Sequence, residues 1–478
     1  MTAVHPVSRR LRRSALVVGA IAAGLAVAVV VSPSADRVVQ AEGAPLGAGG
    51  EFHSLTPERI FSSREQPLDV EPFGPKPTNP VSSPQDFHVP LLGQGDVPNE
   101  HVLAVAVNVT IAGPTQPGHL RAFPKGGTAT RTSIANFDAG QTVANSVILR
   151  PGDDGAVTFR LVTGSEGVAD VLVDVTGWWS TDAHATRGAR VEAITPFRVF
   201  NSTTDAGGNL VGPAVARVNI RGAAGIESAV PDDPSVVGVI LNLTSQNVFP
   251  GSLSTHLSVV PDSFDPNVSE EWPRTSNLNV AVGQTRANSV IVPVGAADGD
   301  VHVFLRRGES RVVVDVVGYL QVREDDSRAG RVIPLISPFR AFNTREAAFF
   351  DQPLGPKSAE VWSFDAFVND VKIGDDPAGA QQGLFGNLTA VGLERQYSWA
   401  KTESYLTSYP AGAAGENECK PVPTVSNVNF SEIEAVPNLI LMGYGGDADN
   451  PNRVCVFNNQ GYIDYILDVY AIVLADEV

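Results

Sequence analysis

A segment of about 140 residues recurs three times along this 478-residue chain, and this repeat restricts the fold more than any other feature. Each copy opens near a Pro-x-Arg tripeptide and ends on a short apolar run that carries an aspartate. The arginine and aspartate of the successive copies are Arg59 and Asp174, Arg198 and Asp315, and Arg340 and Asp468. The period far exceeds the roughly 20–50 residues of solenoid repeats, so it indicates three tandem globular domains. We place these domains at residues 51–182, 190–323 and 331–478.

Within each copy the apolar pattern is typical of β-strands. Residues 102–109 and 236–243 are runs of mainly β-branched or aliphatic residues, as expected for strands buried on both faces. The dipeptides at Asp154 and Asp298, each followed by glycine, lie between such runs, where a tight hairpin turn requires positive φ. We therefore predict an all-β fold: three tandem β-sandwich or jelly-roll-like domains after an N-terminal hydrophobic helix. A closed barrel in each copy is the alternative.

Residues 1–41 have the pattern of an export signal. Arginines at positions 9, 10, 12 and 13 precede residues 14–31, which carry no charge. Cleavage after Ala41 would release a secreted protein. Alternatively, at about 1.5 Å per residue the uncharged segment is nearly long enough to span a bilayer and remain as an anchor. Either way we expect the rest of the chain to be secreted or at the cell surface, with membrane contact only through this segment.

Charge and cysteine content exclude several classes of protein. Lys+Arg number 34 and Asp+Glu 52, a net charge of −18, which argues against nucleic acid as a partner because no basic surface replaces its counterions. Two cysteines are too few for a disulfide-dense scaffold or a four-thiolate metal site. Both lie in the third copy, and after export we expect Cys419 and Cys455 to form a disulfide. Two free reactive thiols are the alternative.

Several motifs of the repeat together resemble those of a known family. They are the Pro-x-Arg opening, an Asn-x-Thr strand, the Ser-Asn-x-Asn segment from Ser276, the Gln-Thr-x-Ala-Asn segment from Gln284 and an Asp-Val-x-Gly-Tyr ending. They resemble a secreted repeat of actinobacteria that occurs alone, in tandem or appended to cell-wall amidases and other exported hydrolases. The resemblance covers residues 51–475 and implies an extracellular, non-catalytic module; the cysteine positions also resemble the family's pairing. The third copy departs from the pattern, since residues 434–437 replace Gln-Thr-x-Ala and Tyr470 follows Asp468 and Val469 without the glycine.

The recurrent arginines and aspartates are interpreted as structural ion pairs. A buried carboxylate needs a cationic or hydrogen-bonding partner, or its pKa rises until it is neutral. A catalytic or metal-binding carboxylate is the alternative, but a glycosidase needs a second acid at a fixed place. Glu58 is matched by Phe197 and Phe339 in the other copies, so no second acid recurs. We predict no catalytic residue, metal site or cofactor.

Aromatic side chains supply the candidate ligand-binding residues. The densest cluster lies in the third copy, at Tyr397, Trp399, Tyr405 and Tyr409, and Trp272 stands in an insertion of the second copy. Such rings can stack on the face of a sugar, whereas packing over the end of a sandwich is the structural alternative.

These observations predict an exported, non-enzymatic cell-envelope protein that binds wall glycan or an envelope protein through its tandem β domains. The alternative is a hydrolase of cell-wall polysaccharide with its site in the divergent third copy. Its acids would come from Glu394, Glu403, Glu432 and Glu434. The repeat argues against an enzyme, because catalysis normally needs one preorganised cleft with defined partners.

Overall fold

The structure is a computed structural model that describes most of the chain after residue 48. The described residues are 28–30, 39–41, 49–64, 80–164, 166–181, 183–346, 352–365, 367, 371–373, 376–377, 380–392, 403–415, 417–431 and 435–476. No helix among them has the length and apolar character to cross a membrane. Within residues 1–41 two short strands are described, β1 (Ala28–Val30) and β2 (Val39–Ala41); residues 14–27 and 31 of the predicted N-terminal hydrophobic helix lie outside the described residues.

The first unit is a sandwich of two four-stranded antiparallel sheets. Its strands are β3 (Phe52–Ser62), β4 (Val81–Ser82), β5 (Gln85–Pro90), β6 (Val102–Ala112), β7 (Gly118–Pro124), β8 (Ala135–Phe137), β9 (Val143–Leu149), β10 (Ala156–Thr163) and β11 (Val168–Ser180). One sheet has the order β3-β11-β6-β9 and the other β5-β10-β7-β8, while β4 pairs with the start of β11. Two interleaved sheets of eight strands in this order form a jelly roll.

The second unit repeats this arrangement. Its strands are β12 (Ala189–Asn201), β13 (Leu210–Asn219), β14 (Val236–Asn247), β15 (Thr255–Val260), β16 (Leu278–Val280), β17 (Gln284–Pro293) and β18 (Asp300–Val322). The 23-residue β18 takes part in both sheets, β12-β18-β14-β17 and β13-β18-β15-β16. A four-residue helix, α1 (Ser202–Asp205), follows β12, and short 3-10 turns lie at Asp153–Gly155 and Ser269–Glu271.

The third unit has the same two sheets with added short strands. Its strands are β19 (Val332–Asn343), β20 (Ser358–Ser363), β21 (Val371–Ile373), β22 (Asp376–Pro377), β23 (Gln381–Val391), β24 (Ser404–Pro410), β25 (Val428–Phe430), β26 (Ala435–Gly443), β27 (Gly445–Asp447), β28 (Asn450–Asn458) and β29 (Asp464–Leu474). The sheets are β19-β29-β23-β26 and β20-β28-β24-β25, and β1 and β2 pair with β20 and β21. The predicted all-β, jelly-roll-like fold class is thus confirmed.

The two Asp-Gly dipeptides lie in turns with positive φ, but these turns are not the predicted hairpins. Asp154 has φ 55° and Gly155 has φ 68°, between β9 and β10. Gly299 has φ 74° between β17 and β18. Positive φ is where glycine, and to a lesser degree aspartate, is tolerated. β9 pairs with β6 and not with β10, and β17 pairs with β14 and not with β18, so each turn carries the chain from one sheet toward the other.

The three units form a ring around a pseudo-threefold axis. The equivalent strands β9, β17 and β26 contact one another pairwise along this axis. Near the linkers, an apolar cluster joins the third unit to the other two and includes Trp179, Val191, Ile148, Ile291 and Leu441. A Cβ at Gly318 would stand 2.6 Å from Leu441 Cδ2, so the recurrent glycine permits this close approach between two units.

Buried asparagines connect the units in the middle of the axis. Asn108 Nδ2 donates to Ser276 O at 2.7 Å, from the first unit to the second. Asn387 Nδ2 donates to Ser133 O at 2.9 Å, from the third unit to the first. The equivalent bond from the second unit to the third joins Asn242 and Ser426.

A second set of asparagines bonds to the first, and we call the two sets together the asparagine ring. Asn288 Nδ2 donates to Asn108 Oδ1 at 2.9 Å, and the pairs Asn438–Asn242 and Asn145–Asn387 repeat the contact at 2.8 and 3.0 Å. Each unit therefore contacts the next in the same sense, and the third returns to the first. This is the closed head-to-tail geometry of a cyclic trimer, formed within one chain.

Candidate functional site

Each recurrent arginine lies opposite the recurrent aspartate of its own unit. The arginine is on the first strand of the unit along the chain and the aspartate on the last, and these two strands pair in one sheet. The pairs are Arg59–Asp174, Arg198–Asp315 and Arg340–Asp468. All three are bidentate, with Nε–Oδ1 distances of 2.8, 2.8 and 2.9 Å. The carboxylates are at most 1% exposed, whereas the arginines are 25–32% exposed. The guanidinium groups are therefore accessible from outside the sheet and their partners are not.

The ion pairs also lie at the contacts between units. Each carboxylate accepts a backbone N–H from a serine of the next unit in the ring: Ser276 for Asp174, Ser426 for Asp315 and Ser133 for Asp468. Burial raises the pKa of the three aspartates, and the arginine partners oppose that shift. The arginine–aspartate pairs therefore hold the last strand of one unit against its neighbour.

A cavity of about 570 Å³ opens at the end of the axis away from the linkers, and we call it the axial cavity. All three units line it, through equivalent positions on the axial strands at Ala144, Ala287 and Pro437. Its charged lining residues are Arg121, Arg131, Asp138, Arg286, Arg340 and Arg345. Its described wall thus carries five arginines and one acid, although the net charge of the chain is −18.

Arg121 gives this cavity a charge that no acid among the described residues neutralises. Its Nε donates to His119 Nε2 at 3.0 Å, and its Nη1 donates to Thr130 O at 3.5 Å. Burial lowers the pKa of Arg121, with further repulsion from Arg160 and Arg340. The pKa of His119 falls to about 4, mainly through burial and then through Arg121 and Arg340. His119 is therefore neutral at neutral pH, and since Nε2 accepts a hydrogen bond its proton is on Nδ1.

Of the other arginines, Arg131 also belongs to the first unit, whereas Arg286, Arg340 and Arg345 come from the remaining units. Arg340 comes from the third unit and keeps its pair with Asp468. Arg345 Nε donates to Asn343 Oδ1 at 3.1 Å. Arg131 and Arg345 are exposed, whereas Arg286 is buried. The set combines exposed and buried guanidinium groups around one space.

Two further clefts lie at the contacts between units. The first cleft, of about 360 Å³ between the first and second units, is lined by His256, Arg306 and Arg307. The second cleft, of about 250 Å³ between the second and third units, is lined by Arg198, Arg311, Glu403 and Tyr405. His119, His256 and Tyr405 pair with equivalent asparagines of the next strand, so they occupy the same place in the three units.

Two of the four residues of the predicted aromatic cluster, Tyr405 and Tyr409, are described. Tyr409 is 3% exposed and its hydroxyl donates to Cys419 O at 2.8 Å, so it packs in the third unit instead of lining a ligand surface. Tyr405 lines the second cleft, and burial raises its pKa. Tyr397 and Trp399 lie outside the described residues.

Trp272 lies in the second unit, apart from these tyrosines. Its Nε1 donates to Pro266 O at 2.9 Å, its ring centroid is 5.5 Å from that of Phe304, and Arg306 stands 5.0 Å from its centroid. It therefore supports an arginine of the first cleft and is not itself a free stacking surface.

The acids proposed for a hydrolase are only partly described. Glu403 lines the second cleft and is the one acidic residue in the described part of its wall. Glu394, Glu432 and Glu434 lie outside the described residues. In the part of the chain that the structure describes, no three His, Cys, Asp or Glu side chains cluster as metal ligands.

The predicted disulfide is confirmed. Cys419 and Cys455, 36 residues apart, are bonded in the third unit. Cys455 lies on β28, and Cys419 packs in the same small cluster as Tyr409. The bridge therefore fixes the segment that leads to β25 against the outer sheet of this unit.

Comparison with known proteins identifies no family. No family model matches the chain, and no curated protein matches it. Among solved structures, one described as the triple jelly roll fold and turret assembly of an archaeal virus is 8% identical, with 88% of this chain and 90% of that chain covered, at a TM-score of 0.15. A structure of the Sulfolobus turreted icosahedral virus is 9% identical, with 89% of this chain and 90% of that chain covered, at a TM-score of 0.15. The N-terminal CBM22 tandem domain of Paenibacillus barcinonensis Xyn10C is 8% identical, with 57% of this chain and 94% of that chain covered, at a TM-score of 0.14. These likenesses are remote and say nothing about function.

Arg121 and Arg286 were missed by sequence reasoning because they break the repeat. Arg121 stands where the other units have Ser258 and Thr407, whose hydroxyls donate to backbone carbonyls at 2.6 and 2.7 Å. Arg286 stands where the other units have Val143 and Val436. A search for charged residues at positions that are otherwise small or apolar in the repeat would have found both.

Proposed function

We propose that this chain is an exported, non-enzymatic cell-envelope protein that binds an anionic wall glycan in the axial cavity. The observation that carries the proposal is the convergence of five arginines from three units on one cavity of an acidic chain. Export is supported by the basic and apolar N-terminal pattern.

The chemistry of the wall favours an anionic group over a neutral sugar. Guanidinium groups bind carboxylate and phosphate through two parallel hydrogen bonds. The aromatic ring in the described wall, Phe137, is 4% exposed, so recognition relies on charge and hydrogen bonds more than on ring stacking. The volume of about 570 Å³ is in the usual range for small-molecule sites.

Binding is also better supported than hydrolysis. A glycosidase needs two carboxylates flanking the scissile bond. The described wall of the axial cavity contains one, that of Asp138. An arginine-rich wall without a paired acid suits retention of a ligand, because charge-assisted hydrogen bonds hold an anion without activating a nucleophile.

Calorimetric titration with matched ligands tests the proposal. Galacturonic acid is compared with galactose, and glycerol phosphate with glycerol, so that each pair differs only in its anionic group. We expect at least one anion to bind and its neutral counterpart not to bind. Arg121→Gln should weaken this binding by about tenfold or more, the value of a charge-assisted hydrogen bond.

A matched pair of surface variants supplies the control. Arg131 lines the axial cavity, and Arg274 is its counterpart in the second unit, also exposed but outside that wall. Arg131→Gln should weaken anion binding and Arg274→Gln should not. Equal effects of the two variants, or equal binding of charged and neutral ligands, would overturn the proposal.

A further inference from the structure

The first cleft continues from the axial cavity. Asn279 lines both spaces. The loop before β9 does the same, since Asp138 and Gln141 line the cavity while Gly140 and Thr142 line the cleft. The two spaces therefore share a border formed by the first and second units.

The first cleft is also basic. Arg306 and Arg307 are exposed, and no acid belongs to its described wall. Arg307 Nε donates to Ser254 O at 2.7 Å, and Arg306 stands 5.0 Å from the ring centroid of Trp272. These contacts hold both side chains against the second unit, with their charges not neutralised by the cleft itself.

The second cleft differs in its charge. Glu403 stands there beside Arg198 and Arg311, whereas its counterpart in the first cleft is Ser254. The positive surface therefore extends from the axial cavity in one direction around the ring, and the pseudo-threefold symmetry is broken.

We infer that the anionic ligand is a linear polymer with a charged group in each repeating unit, which occupies the axial cavity and the first cleft together. This inference rests on the proposed function. Either carboxylate or phosphate meets the requirement, because arginine binds both. Two linked subsites convert the second contact into an intramolecular one, so affinity rises with ligand length.

The experiment compares ligand length and cleft variants. Oligogalacturonates and oligo(glycerol phosphates) of increasing length are titrated into the wild-type chain, one series for each anionic group. We expect oligomers that reach both spaces to bind about a hundredfold more tightly than the monomer. The double variant R306Q/R307Q should bind the monomer normally and lose most of this gain. R306K/R307K, which keeps the charges, should retain most of it.

Arg311→Gln in the second cleft is the matched control and should leave both monomer and oligomer affinity unchanged. Unchanged thermal unfolding of each variant shows that the fold is intact. Oligomers that bind no more tightly than the monomer, a gain that persists in R306Q/R307Q, or a gain lost equally in Arg311→Gln would overturn the inference. If the monomeric anions themselves do not bind, the proposed function fails instead.

Discussion

The two ends of the pseudo-threefold axis are built from the same three strands and have opposite chemistry. Toward the linkers, β9, β17 and β26 contribute Ile148, Ile291 and Leu441 to a continuous apolar cluster. At the other end the same strands line a cavity with five arginines. The asparagine ring separates the two. The difference indicates that one end stabilises the assembly, whereas the other holds charges whose burial opposes folding, a cost that the proposed anion binding would explain.

The largest loss of stability is expected at the apolar end. Ile291→Ala removes a side chain that is 3% exposed within the shared cluster, and large-to-small substitutions of this kind lower the free energy of unfolding by about 2–5 kcal/mol. Chemical denaturation measures the change. A loss below about 1 kcal/mol would show that the apolar end does not hold the ring together.

A loss of comparable size is expected in the asparagine ring. Asn288→Ala leaves Asn277 O, Asn108 Oδ1 and the Ser146 N–H without their partner, and each unsatisfied buried group costs about 1–3 kcal/mol. Chemical denaturation of Asn219→Ala, an exposed asparagine of the same unit, is the control and should change stability by less than about 0.5 kcal/mol. Similar losses in the two variants would contradict a role of the ring in joining the units.

Two histidines at the open end of the axis, where the axial cavity lies, should make the free energy of unfolding depend on pH. The pKa values of His119 and His256 fall from 6.5 to about 4, mainly through burial, with repulsion from Arg121 and Arg340 for the first and from Arg306, Arg307 and Arg59 for the second. The unfolded chain therefore binds more protons between these values, and stability decreases as pH falls from about 6.5 to about 4.

Thermal unfolding measured across this pH range gives the slope of stability against pH, and the double variant H119Q/H256Q should have a smaller slope than the wild-type chain. His53, at the linker end, has a pKa of about 4 as well, and burial also lowers the pKa of His88, so these two histidines account for the slope that remains. The recurrent aspartates, whose pKa values are raised, act in the opposite sense at the acid end of the range. An unchanged slope in the double variant would show that the histidines at the open end are not responsible.

The smallest effect on stability is expected from Arg121→Gln. Because burial lowers the pKa of Arg121, the charged side chain opposes folding, and its removal should leave stability unchanged or raised, within about 1 kcal/mol. Denaturation measured alongside anion titration separates the two properties. A loss of stability in parallel with lost binding would remove the distinction between the two ends.

The sequence predicts the fold class well because the pattern is local and repeated. Aliphatic runs such as residues 102–109 identify buried strands, and the dipeptide at Asp154 identifies a turn, without knowledge of distant contacts. Arg59 and Asp174 could be paired from recurrence alone, and the structure places them opposite each other on adjacent strands.

The arrangement of the units could not be predicted in this way. The partners of Asn108 lie in the second unit, 168 residues away at Ser276, and a single sequence does not show which distant carbonyl an asparagine reaches. The amides of these asparagines bond the backbone of the next unit. The axial cavity could not be predicted for the same reason, because Arg121 and Arg340 come together only when the ring of three units closes.

Ring closure separates the connectivity of the chain from the connectivity of the assembly. Two of the three junctions between units are spanned by peptide linkers, but all three are held by hydrogen bonds such as that from Asn387 to Ser133. A protease that cut the linker between Ser180 and Ala189 would leave every one of these contacts in place. The nicked protein would remain a single particle with its cavity intact, an advantage for any protein exposed to extracellular proteases.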